Sequence, residues 1–196
     1  LTVIDHSSIT PEVTRQLAAE LQAGCGAHWI DAPVSGGVAG AEQGRLVIMA
    51  GGDAERIVAV SSLLGHYSQR ITRMGDVGAG QVTKICNQLI VAANSLLIAE
   101  TVALAEQAGV DAGLLAPALA GGFADSLPFQ ILTPRMAERR FEPVQWKVQT
   151  LLKDLGNAVA LGQASASPLP LATAAHQLMQ THADAGHASA DLSSII

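Results

Sequence analysis

Lys84, Asn87 and Gln88 lie in the stretch GAGQVTKICNQ, residues 78–88, at separations of three and four residues. In a helix that spacing puts all three on one face. A lysine beside amides can take up or release a proton at a reacting oxygen while the amides orient the group that bears it. A solvated lysine near a helix start, with two packed amides, has the same spacing, so these residues alone leave both readings open. A second stretch, DAPVSGG at residues 31–37, ends in Ser35, Gly36 and Gly37. A serine hydroxyl and two N–H groups uncovered by side chains can surround a carboxylate, and the same residues also make an ordinary turn off a strand.

Three weaker candidates complete the inventory. His6 and Ser8 follow the first apolar run, where open α/β sheets place their ligands, although a polar turn there needs no ligand. Lys153 and Asp154 in LLKDL read equally well as a surface ion pair on a helix. His176, His182 and His187 are spaced so that they do not share a helical face, and they read as surface residues. Cys25 and Cys86 have no metal-type spacing, which points to a reduced, cytoplasmic setting and to no metal site.

These residues need elements to hold them. TVID, HWIDAP, RLVIMAGG and QRITRM read as strands. Helices alternate with them, one from Pro11 to near Gly24 with Thr10 as cap, and one from Asp53 to Leu64. Alternation of this kind predicts an α/β layer with a mainly parallel sheet. Beyond Gly78 the apolar residues recur at helical spacing only. A long helix over 80–108 ends at Gly109, and further helices are expected over 111–119, 128–139, 144–165 and 169–185. The expected division is therefore an α/β part over 1–77 and an all-helical part over 78–196.

Composition narrows the partners. Of the 196 residues, 49% are hydrophobic, only 3% aromatic and 14% charged, so the interior is built from small aliphatic side chains. The net charge of −6 and the scatter of the 11 basic residues argue against nucleic acid. The run Ile85–Ala99 lacks charge but contains Asn87, Gln88 and Asn94 and falls short of the roughly 20 residues of a membrane span, so it reads as a buried helix and no membrane association is expected. No signal-peptide pattern is visible. The opening LTVID reads as an interior strand, which suggests the later part of a longer protein.

Taken in order, VIDHSSI, DAPVSGG, GAGQVTKICNQ and LLKDL closely resemble the β-hydroxyacid dehydrogenase family over essentially the whole chain. The resemblance implies the C-terminal portion of a Rossmann-like sheet followed by a helical domain, with one long helix between them. It implies an NAD- or NADP-dependent oxidoreductase that interconverts a small β-hydroxy acid and its semialdehyde, of the 3-hydroxyisobutyrate or tartronate semialdehyde type. The family pattern makes Lys84 the catalytic acid/base and has Ser35, Gly36 and Gly37 hold the substrate carboxylate. It places Asn87 and Gln88 at the substrate, and Ser8 and Lys153 at the cofactor. Ser8 stands where Thr is usual, and Gln88 where many members have a second Asn. The Lys-x-x-Asn-Gln form with GGFADS at 121–126 is closer to the tartronate semialdehyde branch. A homodimer or homotetramer is implied. The chain has no G-x-G-x-x-G fingerprint, so a chain that truly began at Leu1 would instead suggest a non-catalytic dimerisation or partner-binding module.

Overall fold

The computed structural model describes residues 1–196 and divides into two compact units, 1–86 and 87–196. In the first, the order is β1 (Thr2–Asp5), α1 (Pro11–Cys25), β2 (His28–Asp31), β3 (Val34–Ser35), α2 (Gly37–Glu42), β4 (Leu46–Gly51), α3 (Ala54–Leu64) and β5 (Ser68–Gly75). Thr10 caps α1 through its side chain with Pro11 in the first turn, as expected, and Gly26 closes the helix at φ 68°. Asp53 caps α3 in the same way.

The sheet is mixed, with its longer ladders parallel and short antiparallel ones between them. β1 pairs parallel with β2, and β4 parallel with β5, each pair joined through a helix. β4 runs antiparallel to both β2 and β3, pairing Asp31 with Gly51, Val34 with Ile48 and Ser35 with Val47. Connection length explains the reversal. Residues 36–45 between β3 and β4 hold only the six-residue α2, and a parallel crossover takes about a dozen residues or more. Neither β3 nor α2 is long enough to show a period in the sequence. The core of this unit is Ile30, Ile48, Ala50, Ile57 and Leu64, with Ile4 and Ile71 packed against it.

The helix α4 (Ala79–Gln107) runs 29 residues, and the boundary between the units falls within it. By length and composition the whole of α4, unlike its uncharged run Ile85–Ala99, is long and apolar enough to cross a membrane, as the core helix of a soluble protein also can be. Its buried positions nevertheless include Gln81, Gln88 and Ser95 beside Ile85, Ala92 and Val102. Polar side chains on the buried side of a helix mark packing against protein groups that can pair with them.

The second unit continues with α5 (Leu115–Leu119), α6 (Leu127–Ala137), α7 (Val148–Ala164) and α8 (Pro170–His182). Met136, Leu151, Leu155 and Met179 are fully buried. α7 starts four residues later than the expected 144 because residues 145–149 are tied to the C-terminal segment. Val148 N–H donates to Ala190 O (3.0 Å), and Leu192 N–H donates to Trp146 O (2.8 Å). Asp191, 2% exposed, fastens that junction by accepting from Gln145 N–H (2.7 Å) and Ser193 Oγ (2.5 Å) and by pairing with buried Arg135 (3.2 Å).

Burial raises the Asp191 carboxyl, but the hydrogen bonds from Ser193, Gln145 and Trp146 outweigh it, and the net displacement is downward. A carboxyl held lower in the folded than in the unfolded chain contributes stability above its unfolded value of about 4 and loses it as pH falls through the folded value. Thermal melts of an Asp191→Asn variant should therefore show a flatter loss of stability between neutral and acid pH than wild type. An unchanged acid limb would remove Asp191 from that role.

His187 is exposed and His182 half-buried, and the two are not independent of one another. The chain leaves helical geometry at Gly186 (φ 100°) and brings the two rings into a stack at 4.5 Å, while His182 Nε2 pairs with Ser194 Oγ at 2.9 Å. Burial, and then the neighbouring His187, lower the His182 pKa. A helical spacing argument misses this because the helix stops between the two residues.

Candidate active site

Asp31 explains the acid in DAPVSGG. It is fully buried at the end of β2, where Oδ1 accepts from Gly78 N–H (2.7 Å) and Oδ2 from Gln81 N–H (3.0 Å). These are donors at the start of α4 that have no partner within the helix, so a remote carboxylate caps it. The approach is close enough to require glycine on both sides. A Cβ on Gly51 would lie 2.5 Å from Asp31 Oδ1, and one on Gly80 would lie 2.7 Å from the Asp31 carbonyl oxygen and closer still to that of Met49.

The capped helix then presents its side chains. Lys84 Nζ donates to the Val34 carbonyl at 2.8 Å, which sets the ammonium beside the backbone that leads directly into Ser35, Gly36 and Gly37. Gly36 (φ 130°) and Gly37 (φ 62°) are exposed and adopt a backbone that favours glycine, and Ser35 is half-buried. Lys84 and the serine-glycine turn are thus brought together within one unit.

Gln81, fully buried and three residues before Lys84, was not singled out from the sequence. Its Nε2 donates to Ser7 O (2.9 Å) and its Oε1 accepts from Ile9 N–H (3.4 Å), so it grips the turn on both sides of Ser8. His6 secures the same turn. Its Nδ1 donates to the Ala32 carbonyl (2.6 Å), which leaves Nε2 to accept the Tyr67 hydroxyl proton (2.8 Å), and burial raises the Tyr67 pKa. The helical spacing of Gln81 and Lys84 in GAGQVTK was the signal that could have revealed it.

In the second unit Asn87 is half-buried and Gln88 is buried. Asn87 Nδ2 donates to Gln88 Oε1 (2.8 Å), and Gln88 Nε2 donates to Asp154 Oδ2 (2.5 Å). The Lys153–Asp154 pair divides its exposure: the Lys153 side chain is 54% exposed, Asp154 is buried, and their charged atoms are 3.0 Å apart. The two candidate cofactor residues fall on either side of the boundary, Ser8 in the first unit and Lys153 in the second.

Parallel strand pairs ending in polar turns, followed by a helical unit, make this a Rossmann-like α/β fold with an all-helical extension. The sequence profile described as the NAD binding domain of 6-phosphogluconate dehydrogenase matches residues 1–75, and that described as NAD-binding of NADP-dependent 3-hydroxyisobutyrate dehydrogenase matches residues 78–196. The chain belongs to the β-hydroxyacid dehydrogenase family. It is 38% identical to 2-hydroxy-3-oxopropionate reductase of Escherichia coli, over all of this chain and 66% of that protein. It is 37% identical to 3-hydroxyisobutyrate dehydrogenase of Pseudomonas aeruginosa, over 98% of this chain and 67% of that one. The crystal structure of 3-hydroxyisobutyrate dehydrogenase from Salmonella typhimurium superposes with a TM-score of 0.90 at 28% identity, covering 99% of this chain and 68% of that chain. The chain thus spans about two thirds of the length of these relatives. The cofactor class that accompanies the family is NAD or NADP.

Ser8 offers a hydroxyl just beyond the C-terminal end of β1, in a turn already held by Gln81 and His6, and strand ends of this kind are where open sheets bind nucleotides. No G-x-G-x-x-G occurs among the 196 residues to cradle a pyrophosphate.

Proposed function

We propose that the protein of which this chain forms a part interconverts a small β-hydroxy acid and its semialdehyde. The observation that carries the reading is the Lys84 ammonium held at 2.8 Å from the Val34 carbonyl, at the entrance to the Ser35-Gly36-Gly37 turn. Ser35 and the amides of Gly36 and Gly37 bind the substrate carboxylate, which sets the hydroxyl-bearing carbon at a fixed distance from the anchor. In oxidation Lys84 Nζ, as the neutral amine, takes the hydroxyl proton and becomes the ammonium, and in reduction the ammonium returns a proton to the same oxygen. Bound NAD or NADP supplies the hydride acceptor or donor. Asn87 orients the substrate oxygen, and Ser8 and Lys153 contact the cofactor. Residues 1–77 serve as the second half of the dinucleotide-binding domain, and 78–196 as the substrate and oligomerisation domain.

A second copy of the chain is the partner this reading assigns, as a homodimer or homotetramer in the cytoplasm. Ile90, Leu97 and Leu104 recur every seven residues on α4 and are 59%, 60% and 71% exposed, an apolar stripe suited to a matching helix. Light scattering on the full-length protein should return a dimer or tetramer.

The substrate class is tested by assaying the full-length protein on 3-hydroxyisobutyrate and threonate in the oxidative direction, and on tartronate semialdehyde and succinic semialdehyde in the reductive direction, each with both nicotinamide cofactors. The Lys-x-x-Asn-Gln form and the similarity to the Escherichia coli reductase favour tartronate semialdehyde, which should show the highest kcat/KM. No turnover on any of the four would set the reading aside.

A further inference from the structure

Two buried groups in the second unit have hydrogen-bond directions that leave little freedom to the residue they end on. Asp154 is 5% exposed and Gln88 is 3% exposed. A carboxylate paired with an ammonium only accepts, so the Gln88 amide must turn its NH2 toward Asp154 Oδ2, at 2.5 Å. That orientation puts Gln88 Oε1 on the opposite side, where it accepts from Asn87 Nδ2 at 2.8 Å. The Asn87 amide is then oriented in turn, with its nitrogen engaged and its carbonyl oxygen turned away from Gln88.

We propose that Asp154 and Gln88 are positioning residues that fix the polarity of the Asn87 amide, so that Asn87 offers its carbonyl oxygen, and not its nitrogen, to the substrate. This rests on the reading above that Asn87 and Lys84 serve the reaction. Each end of the Gln88 amide has a partner inside the protein. Neighbouring side chains on a helix diverge, and the extra methylene of glutamine over asparagine lets one amide reach both Asn87 and a carboxylate on α7.

The test uses the full-length protein and compares wild type with Q88M, D154N and the double variant Q88E/D154N. Q88M keeps the Asp154 charge but removes both amide groups, and D154N allows either end of the new amide to face Gln88. In the double variant the amide introduced at position 154 donates to the carboxylate introduced at position 88. That carboxylate can only accept from Asn87, which restores the direction there. The expected result is a loss of about tenfold or more in kcat/KM for each single variant, as for a buried hydrogen bond to a charged group, with recovery to within about threefold in the double variant.

Wild-type kcat/KM in both single variants, or a folded double variant no better than D154N, overturns the proposal. Should the variants not fold, neutron diffraction on the wild-type protein decides. Deuterons on Asn87 Nδ2 directed at Gln88 Oε1 support it, and the reversed amide overturns it. Failure of the functional reading has a different signature, because a wild-type protein inactive on every hydroxy acid and semialdehyde leaves the amide directions to be read by diffraction alone.

Discussion

Replacement of Lys84 by alanine lowers kcat for oxidation of the preferred hydroxy acid by about 10²–10⁴-fold, the range associated with a lost general acid/base. The cofactor dissociation constant should stay within a few-fold of wild type, because the proposed cofactor contacts come from Ser8 and Lys153. The size of the effect follows from position. Lys84 is held by the Val34 carbonyl at 2.8 Å, immediately before the turn proposed to anchor the carboxylate. Arginine at this position keeps a positive charge but does not release its proton, so K84R should be nearly as slow as K84A. Steady-state kinetics with separate cofactor titration by fluorescence makes the comparison, and near-wild-type turnover in folded K84A would remove the lysine from the chemistry.

The second large effect is on stability, and it reverses a general rule. Alanine replacing glycine inside a helix ordinarily stabilises by about 1 kcal/mol. At Gly80 a Cβ would stand 2.7 Å from the Asp31 carbonyl oxygen and closer still to that of Met49, both backbone atoms that cannot swing aside. Gly80→Ala should therefore cost about 3 kcal/mol, the upper end of overpacking penalties, and lower the Tm by about 6–12 °C for a chain of this length. Activity should fall with it, because the displaced turn supports Gln81 and Lys84. Gly24→Ala in α1 is the control: nothing lies within 4 Å of its Cβ, and it should hold or raise the Tm. Equal melting of the two variants would show that the start of α4 is not seated as tightly as these distances require.

Both results depend on a junction that the sequence displays only in part. GAG stands in the sequence only as the entry to a long helix, whereas the fold makes it a close fit between the start of α4 and the ends of β2 and β4. Local chemistry decides the first statement, and backbone atoms supplied by residues 31 and 49 decide the second.

The features legible in the residues alone are those that local rules govern. The helical period of apolar residues placed α4 within a residue at each end. Thr10 with Pro11, and Asp53, mark the starts of α1 and α3, and four ordered motifs carry the family resemblance. Partnerships formed across long stretches of chain emerge with the folded backbone. Asp31 caps a helix that begins more than forty residues later, Gln81 grips the turn around Ser8, and Asp154 orients Gln88. The antiparallel course of β4 and the stacking of His182 on His187 belong to the same class. The physical reason is common to all of them. Periodicity and capping act within a turn or two of chain, whereas a buried polar group must find its partner wherever the folded backbone brings one, and that distance along the sequence leaves no local trace.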